Sequence, residues 1–325
     1  MKHRVAVVTG ASAGIGRATA VEFGRCGWNV ALIARDAARL RQACAEVEAT
    51  GVKALGIAAD VAAAEQVEAA AESVERDLGP IEAWVNNAMV TVFSPFEQMT
   101  PEEYDRVTQV TYLGTVNGTR AAVTRMRQRN RGCIVQVGSA LAYRSIPLQS
   151  AYCGAKAAVR GFTDSIRSEL IHEGSRVRIT MVQLSAFNTP QFDWARTKLP
   201  RRLQPVPPIF QPECAANAIV WSATHRRREL WVGWPAIKAI LSSRLVPGIG
   251  DRIAARQAWE GQETTQSAEP HADNLFTAVP GEFGAHGRFD RRARDRMPAL
   301  WLVQHRLAVA LGAVVALLLL AVGLS

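Results

Sequence analysis

Cysteine is sparse in this chain, and the little there is makes no pattern. The five thiols, Cys26, Cys44, Cys133, Cys153 and Cys214, are odd in number and form no C-x-x-C pair. That spacing argues against a disulfide framework and a thiolate metal site, and leaves reduced, mostly buried thiols, with Cys153 as a small packing residue. The six histidines make no ligand cluster either, so no metal is expected. A secretory h-region is also missing. Lys2-His3-Arg4 run straight into the apolar Val5–Val8, so this part of the chain is expected to stay in the compartment where it is made. Zinc-finger spacing and RNA-binding aromatic motifs are lacking, which argues against nucleic acid as a partner.

What is present is enough for a full core. The 325 residues are 48% hydrophobic and 21% charged, values that exclude wholesale disorder. The net charge of +9 is unevenly placed: residues 196–306 hold 17 basic and 10 acidic side chains, and so contribute +7 of it. With nucleic acid set aside, a membrane surface is the partner that explains this basic half. The C-terminus points the same way. Leu307–Leu324 is 18 residues without a polar side chain, about 27 Å as a helix and enough for a bilayer core. The arginines that precede it, Arg288 to Arg306, predict that this side faces the cytoplasm, with Trp301 as an interfacial anchor. A single-pass C-terminal membrane anchor is therefore expected, with the domain that precedes it in the cytoplasm.

Upstream, apolar runs alternate with amphipathic stretches. Val5–Val8, Asn29–Ala34, Ala54–Ala58, Ile81–Val85, Ile134–Val137 and Glu229–Gly233 read as strands, with helical patterns between the first five. Such alternation predicts an α/β chain, a doubly wound parallel sheet with helices on both faces. The first strand is followed by Thr9-Gly10-Ala11-Ser12-Ala13-Gly14-Ile15-Gly16 and then a helix. Glycines there let backbone approach a pyrophosphate, and free N–H groups at the helix start bind anionic oxygen. The second strand ends at Ala34-Arg35, where a cofactor without the 2′-phosphate would meet a carboxylate. Arginine suits a phosphate in charge and fork geometry. NADP is therefore expected ahead of NAD, although the next residue is Asp36.

The stretch Ser139 to Lys156 carries the chemistry. It follows the apolar strand 134–137 and places Tyr152 and Lys156 four residues apart, on one helix face. A neighbouring ammonium favours phenolate and is expected to lower the tyrosine pKa, which would fit the phenol for acid/base work on a substrate oxygen.

Taken together, TGASAGIG at 9–16, Asp60-Val61, Asn86-Asn87-Ala88, Ser139 and YCGAK at 152–156 make the chain resemble the short-chain dehydrogenase/reductase family over about residues 4–235. The resemblance implies a single Rossmann fold and NAD(P)-dependent interconversion of a carbonyl and an alcohol. It also implies Tyr152 as the general acid/base, Lys156 as its partner and ribose ligand, and Ser139 as a hydrogen-bond donor to the substrate oxygen. Gly10, Ser12, Gly14, Ile15, Gly16 and Arg35 would then hold the phosphates. Asp60 and Val61 would flank the adenine, Asn87 and Ala88 would line the cofactor, and Thr189 would touch the nicotinamide amide. A homo-oligomer is implied as well.

Three positions depart from the family pattern. Thr111 stands where the family has an asparagine, Met89 follows Asn-Asn-Ala, and Leu184-Ser185 replaces Pro-Gly. Asn117 is too far along its helix to substitute for the asparagine. Phe187, Phe192, Trp194 and Phe210 are expected in a substrate lid that suits an apolar alcohol or ketone. Trp234–Leu245 reads as a helix that packs on the domain or rests on a membrane surface. The expected layout is a catalytic domain over 1–260, an exposed extension over 261–298 and a basic-flanked transmembrane segment over 299–325. The alternative to a membrane-tethered oxidoreductase is a cofactor-binding scaffold or redox sensor that has lost catalysis.

Overall fold

The computed structural model describes residues 3–305 and Val309. Seven strands form one parallel sheet: β1 (Val5–Thr9), β2 (Asn29–Ala34), β3 (Ala54–Ala58), β4 (Ile81–Asn86), β5 (Cys133–Ser139), β6 (Arg178–Leu184) and β7 (Glu229–Trp231). Their order is β7-β6-β5-β4-β1-β2-β3. The strands are near-continuous apolar runs because both faces are covered, and successive residues point to opposite sides. In β1, Ala6 and Val8 enter one core, whereas Val5 and Val7 enter the other. Every strand expected from the sequence is present within a residue or two at each end.

Three helices cover the first face: α1 (Gly14–Arg25), α2 (Ala37–Glu48) and, further along the chain, α8 (Pro212–Thr224). They bury Phe23, Leu40, Val47 and Ile219 against β1, β2 and their neighbours. The second face is covered by α3 (Ala64–Asp77), α4 (Pro101–Thr108), α5 (Gly114–Gln128) and α6 (Ser150–His172). The start of α4 carries a complete capping box, in which Thr100 and Glu103 satisfy each other's backbone N–H and Pro101 opens the first turn. A single π-helical turn, Gln109–Leu113, joins α4 to α5.

Strand order reverses between β1 and β4, each of which has its successor on the far side. Ligands of such sheets bind outside the carboxyl ends of the strands at this reversal. After β6 the chain forms the short α7 (Gln191–Trp194), and after β7 come α9 (Trp234–Leu245) and α10 (Pro247–Ile253).

The stretch 261–298 differs from the exposed extension expected of it. Glu263–Ser267 pairs antiparallel with Arg201–Leu203, and Arg294 bridges to Phe210. Leu275 is wholly buried among Val61, Val90, Val107 and Val110. Asn188 accepts from the N–H of Phe289 and donates to the Asp290 carboxylate. The segment is irregular because it follows the contour of the domain. Its apolar anchors, Leu275, Phe283 and Phe289, are too widely spaced to give a helical or strand period. The chain then runs into α11 (Pro298–Gln304), which buries Leu300 beside α8.

Among the described residues no helix is long and apolar enough to cross a membrane. The run Leu307–Leu324 lies outside them, apart from Val309. Because Leu275 is a core side chain, Leu275→Ala should lower unfolding free energy by about 2–5 kcal/mol. Chemical denaturation will measure this, and a change within about 0.5 kcal/mol would mean the segment is a free surface strand.

Candidate active site

The glycine-rich turn after β1 is shaped by close contacts. Gly10 has φ +65°, and a Cβ there would sit 2.8 Å from the Ala88 Cα. Gly14 also lies in the left-handed region, at φ +58°, and a side chain on Gly16 would collide with the Gly10 carbonyl. The turn is pinned to the end of β4. The Thr9 hydroxyl accepts from the N–H groups of Asn87 (3.0 Å) and Ala88 (3.1 Å), and the Asn87 amide donates to Thr9 O at 2.9 Å. Asn86 is turned inward and structural, since it bonds Trp84, Thr119 and Gln136. No side chain caps the N-terminus of α1.

These elements surround a cleft of about 180 Å³ lined by Gly10, Ser12, Gly14, Ile15, Arg35, Asp60, Val61, Asn87, Ala88 and Thr189. Of the expected cofactor residues outside the catalytic pair, only Gly16 is not in its lining; it packs behind the turn. A second, more apolar cavity of about 320 Å³ contains Ser139, Tyr152 and Lys156. Both are bordered by Ile15, Asn87, Met89, Thr189 and Gln191, so they meet at these residues. Met89 thus stands at the junction, and its side chain occupies part of the border.

Arg35 is engaged in a way the sequence did not indicate. Its guanidinium donates to the carbonyls of Asn274 (2.5 Å), Phe276 (2.9 Å) and Leu275 (3.4 Å). Three of its five N–H groups are spent there. Burial, with Arg106 and Arg39 nearby, lowers its pKa from the ordinary value, and Asp60 offsets part of this. The segment reaches the phosphate turn as well, where Gly14 N–H donates to Gly284 O at 3.0 Å. Arg39 lies over the rings of Trp194 and Phe283 and pairs with Asp36. Arg106 bonds the Asp60 carboxylate. Burial would raise the pKa of Asp60, but the Ala62 N–H and Arg106 outweigh it and hold the carboxyl below its usual range.

Arg39, Arg106, Asn274 and Ala278 are the parts of this neighbourhood that sequence reasoning missed. Arg39 and Arg106 sit in helical patterns with nothing to mark them, and the other two belong to the segment read as a linker.

In the second cavity, Ser139 ends β5 and Tyr152 and Lys156 project from the first two turns of α6. The Ser139 hydroxyl bonds the Tyr152 phenol. Lys156 Nζ donates to Val137 O at 2.7 Å and lies 5.6 Å from the Tyr152 ring centroid. The expected lowering of the Tyr152 pKa is not found. Burial pushes the phenol above its ordinary value and the Ser139 hydrogen bond only partly offsets this. Burial also takes Lys156 down to about 8. Burial is the leading cause of both shifts, because an apolar setting disfavours whichever form is charged.

Thr111 lies in the π-turn, wholly buried, where its hydroxyl donates to Val90 O (3.0 Å) and accepts from Val90 N–H (3.2 Å). It holds the loop after β4 and supplies no amide. Asn117 donates to Val61 O, away from the cavity. Phe187 and Phe192 line the apolar cavity, but Trp194 lines the cofactor cleft and Phe210 is buried in the core beside Phe187. Burial raises the Cys153 thiol pKa, as expected of a packing residue. Gln262, at the start of the supposed extension, is a wall of the cavity and accepts from Gln149 at 2.7 Å.

Residues 4–199 match the family model for short chain dehydrogenase. The chain belongs to the short-chain dehydrogenase/reductase family. It is 32% identical over 280 residues to YxnA, an oxidoreductase of Bacillus subtilis, covering 85% of this chain and 78% of that one. It is 31% identical over 225 residues to the 3-dehydrosphinganine reductase of Danio rerio, covering 67% of each chain. A short-chain dehydrogenase of Streptomyces avermitilis superposes with a TM-score of 0.65 at 26% identity, over 77% of this chain and 96% of that one. An alcohol dehydrogenase of Thermococcus sibiricus, complexed with 5-hydroxy-NADP, superposes with a TM-score of 0.62 at 27% identity, over 70% and 95%.

The buried Lys156 gives this family member a measurable pH signature. Its folded pKa of about 8 is below the ordinary 10.5, so the unfolded chain holds this proton more tightly between the two values. Stability relative to Lys156→Met should therefore rise between pH 8 and 10.5, by about 3 kcal/mol from the size of the shift. Urea titrations of both proteins across that window test this, and a constant difference would mean that Lys156 is not desolvated.

Proposed function

We propose that the protein is an NADP-dependent reductase of apolar ketones or aldehydes, held at a membrane by its C-terminal run. The carrying observation is that Ser139, Tyr152 and Lys156 line one apolar cavity that meets the dinucleotide cleft at Asn87, Met89 and Thr189. The cleft fits the cofactor: Gly10 and Gly16 leave no room for a Cβ, and Arg35 and Arg39 place cations at the end of β2. Gly10, Ser12, Gly14, Ile15 and Gly16 would cradle the pyrophosphate. Arg35 would hold the 2′-phosphate with its remaining N–H groups, and Asp60 and Val61 would flank the adenine. Asn87, Ala88, Thr189, Tyr152 and Lys156 would hold the nicotinamide end. The solved relatives complexed with 5-hydroxy-NADP and NADP support this choice over NAD. The chemistry supplied by the bound nicotinamide is hydride transfer.

The chain's own groups handle the proton. The raised pKa of Tyr152 keeps its phenol protonated at neutral pH, so it acts as a donor to a carbonyl oxygen. The Ser139 hydroxyl bonds the same oxygen and stabilises the charge that develops on it. Lys156, charged below about pH 8, stabilises the phenolate left behind. The apolar wall from Phe187, Phe192, Leu184 and Val206 supports an apolar substrate. So does the likeness to a relative named 3-dehydrosphinganine reductase. Leu307–Leu324 and the arginines before it support the tether. Thr111, locked to Val90 and without an amide, favours the second reading of a cofactor-binding scaffold that has lost catalysis.

Tyr152→Phe separates the two readings. NADPH oxidation with a panel of medium-chain ketones should fall at least about 100-fold, while NADPH binding by fluorescence titration stays within about twofold. Tight NADPH binding by the parent with no turnover of any ketone would establish the scaffold. In the parent, kcat/KM for reduction should decline as pH rises through about 8, where Lys156 loses its charge. Deletion of residues 307–325 should move the protein from the membrane pellet to the supernatant. Full-length protein soluble without detergent would refute the tether.

A further inference from the structure

Among the described residues, half of the exposed large apolar side chains are gathered in one stretch after β7. Trp234, Leu241, Leu245, Val246, Ile249, Ile253 and Trp259 all face solvent, Leu245 being 75% exposed and Trp234 64%. Along α9, residues 234, 238, 241 and 245 fall on one side of a 3.6-residue helix, and Ala236 and Ile240 are buried on the opposite side. In α10, Ile249 and Ile253 are one turn apart on a common face. This patch cannot be explained by isolated exposed apolar residues, which are normal when scattered singly.

The stretch is firmly attached to the active site. Pro235, Ala236 and Ala239 of α9, and Ala258 beyond α10, line the apolar cavity with Ser139 and Tyr152. Arg144, another lining residue, donates to Asp251 (2.8 Å) and to Pro247 O (2.6 Å), and Gly250 has no Cβ because the guanidinium lies against it. Ser243 donates to Tyr143 O at 2.6 Å. Helix α9 therefore walls the cavity with one side and presents apolar side chains to solvent with the other, and α10 is tied to the cavity through Arg144.

Two observations identify what covers this face. Between 234 and 259 the exposed charges are Lys238, Arg244, Arg252 and Arg256 against one acid, Asp251, which is paired with Arg144. Apolar side chains flanked by cations match an anionic bilayer surface, which takes up the first and attracts the second. The second is the path of the chain. Met297 packs against Gly233, the residue that caps α9. From there α11, about 10 Å long and with Trp301 and Leu302 exposed, leads to His305, two residues before the apolar run 307–324. The last described residues before that run, Trp301 to His305, are therefore one short helix away from the α9 cap, with Gln304 donating to Asn217 of α8.

We propose that the α9–α10 surface, Trp234 to Trp259, is a second membrane contact that seats the cavity wall on an anionic phospholipid bilayer. Apolar carbonyl substrate then enters the cavity from the lipid phase. The docking surface is independent of catalysis. The entry route rests on the ketone reductase reading above.

The test uses the full-length protein reconstituted in phosphatidylcholine vesicles with 30% phosphatidylglycerol. Hydrogen–deuterium exchange of peptides spanning 234–259 should be at least about fivefold slower there than in detergent micelles. Leu245→Glu combined with Ile249→Glu should abolish the slowing without changing exchange of β1 or β5. Leu245→Met should keep it. Both acidic substitutions are at exposed positions, so the fold is retained. Equal exchange in vesicles and micelles overturns the proposal. So does protection already present in micelles that grows with protein concentration, which would make the face an interface between two copies of the chain. For the entry route, the double variant should raise KM for a vesicle-dissolved C12 ketone at least about tenfold and leave kcat/KM for a water-soluble C4 ketone unchanged. Equal effects on both ketones would refute entry from lipid. If the parent reduces neither ketone, the reductase reading fails while the exchange result stands.

Discussion

The site depends on how closely β1 and β4 approach at their carboxyl ends. Strand order reverses between them, so the connections leave to opposite sides and open a crevice at that point. The crevice is held to atomic tolerance by one hydroxyl. Thr9 accepts from two consecutive N–H groups, those of Asn87 and Ala88, while Asn87 returns a bond to the Thr9 carbonyl. Gly10 must lack a side chain because Ala88 stands where its Cβ would be. A bulkier residue at either position would push the phosphate turn away from the end of β4 and separate the cofactor cleft from the catalytic cavity.

The chemistry that this geometry serves has an electrostatic cost. Lys156 is carried into an apolar wall with the Val137 carbonyl as its hydrogen-bond partner, and burial takes it down to about 8. Tyr152 moves in the opposite direction for the same reason, because low polarity disfavours whichever form is charged. The two shifts leave a neutral acid beside a base that is still largely protonated at neutral pH, an arrangement suited to giving a proton to a carbonyl oxygen. Catalytic groups tuned by burial lower stability and are tolerated because the surrounding sheet and helices supply the surplus.

The segment after 261 changes the character of the cofactor cleft. Its carbonyls hold Arg35 from one side, Gly284 takes the N–H of Gly14, and Phe283 joins Trp194 in enclosing Arg39. Leu275 is buried in the core cluster that also holds Val61 and Val110. Cofactor-cleft groups from β2, α1 and α7 are thereby tied to a single return of the chain. Its irregular backbone follows from what it does: it makes its hydrogen bonds one at a time to groups on many elements, and no repeating ladder is available to it.

Local pattern alone determined six of the seven sheet strands, the glycine turn and the pairing of Tyr152 with Lys156. Apolar runs, glycines at close approaches and the i,i+4 spacing are each written within a few residues. The long-range facts were not written there. That Thr111 bonds Val90, that Trp194 faces the cofactor cleft and that Phe210 is buried all depend on where distant backbone arrives. The direction of the Tyr152 shift is not legible in the sequence for the same reason, since charge proximity follows from spacing but desolvation depends on the whole cavity. The 261–298 return was read as a linker because its anchors have no period, and only tertiary packing decides whether an isolated leucine is buried. Sequence therefore determined which groups are placed in register, and the fold decided how polar their surroundings are and what encloses them.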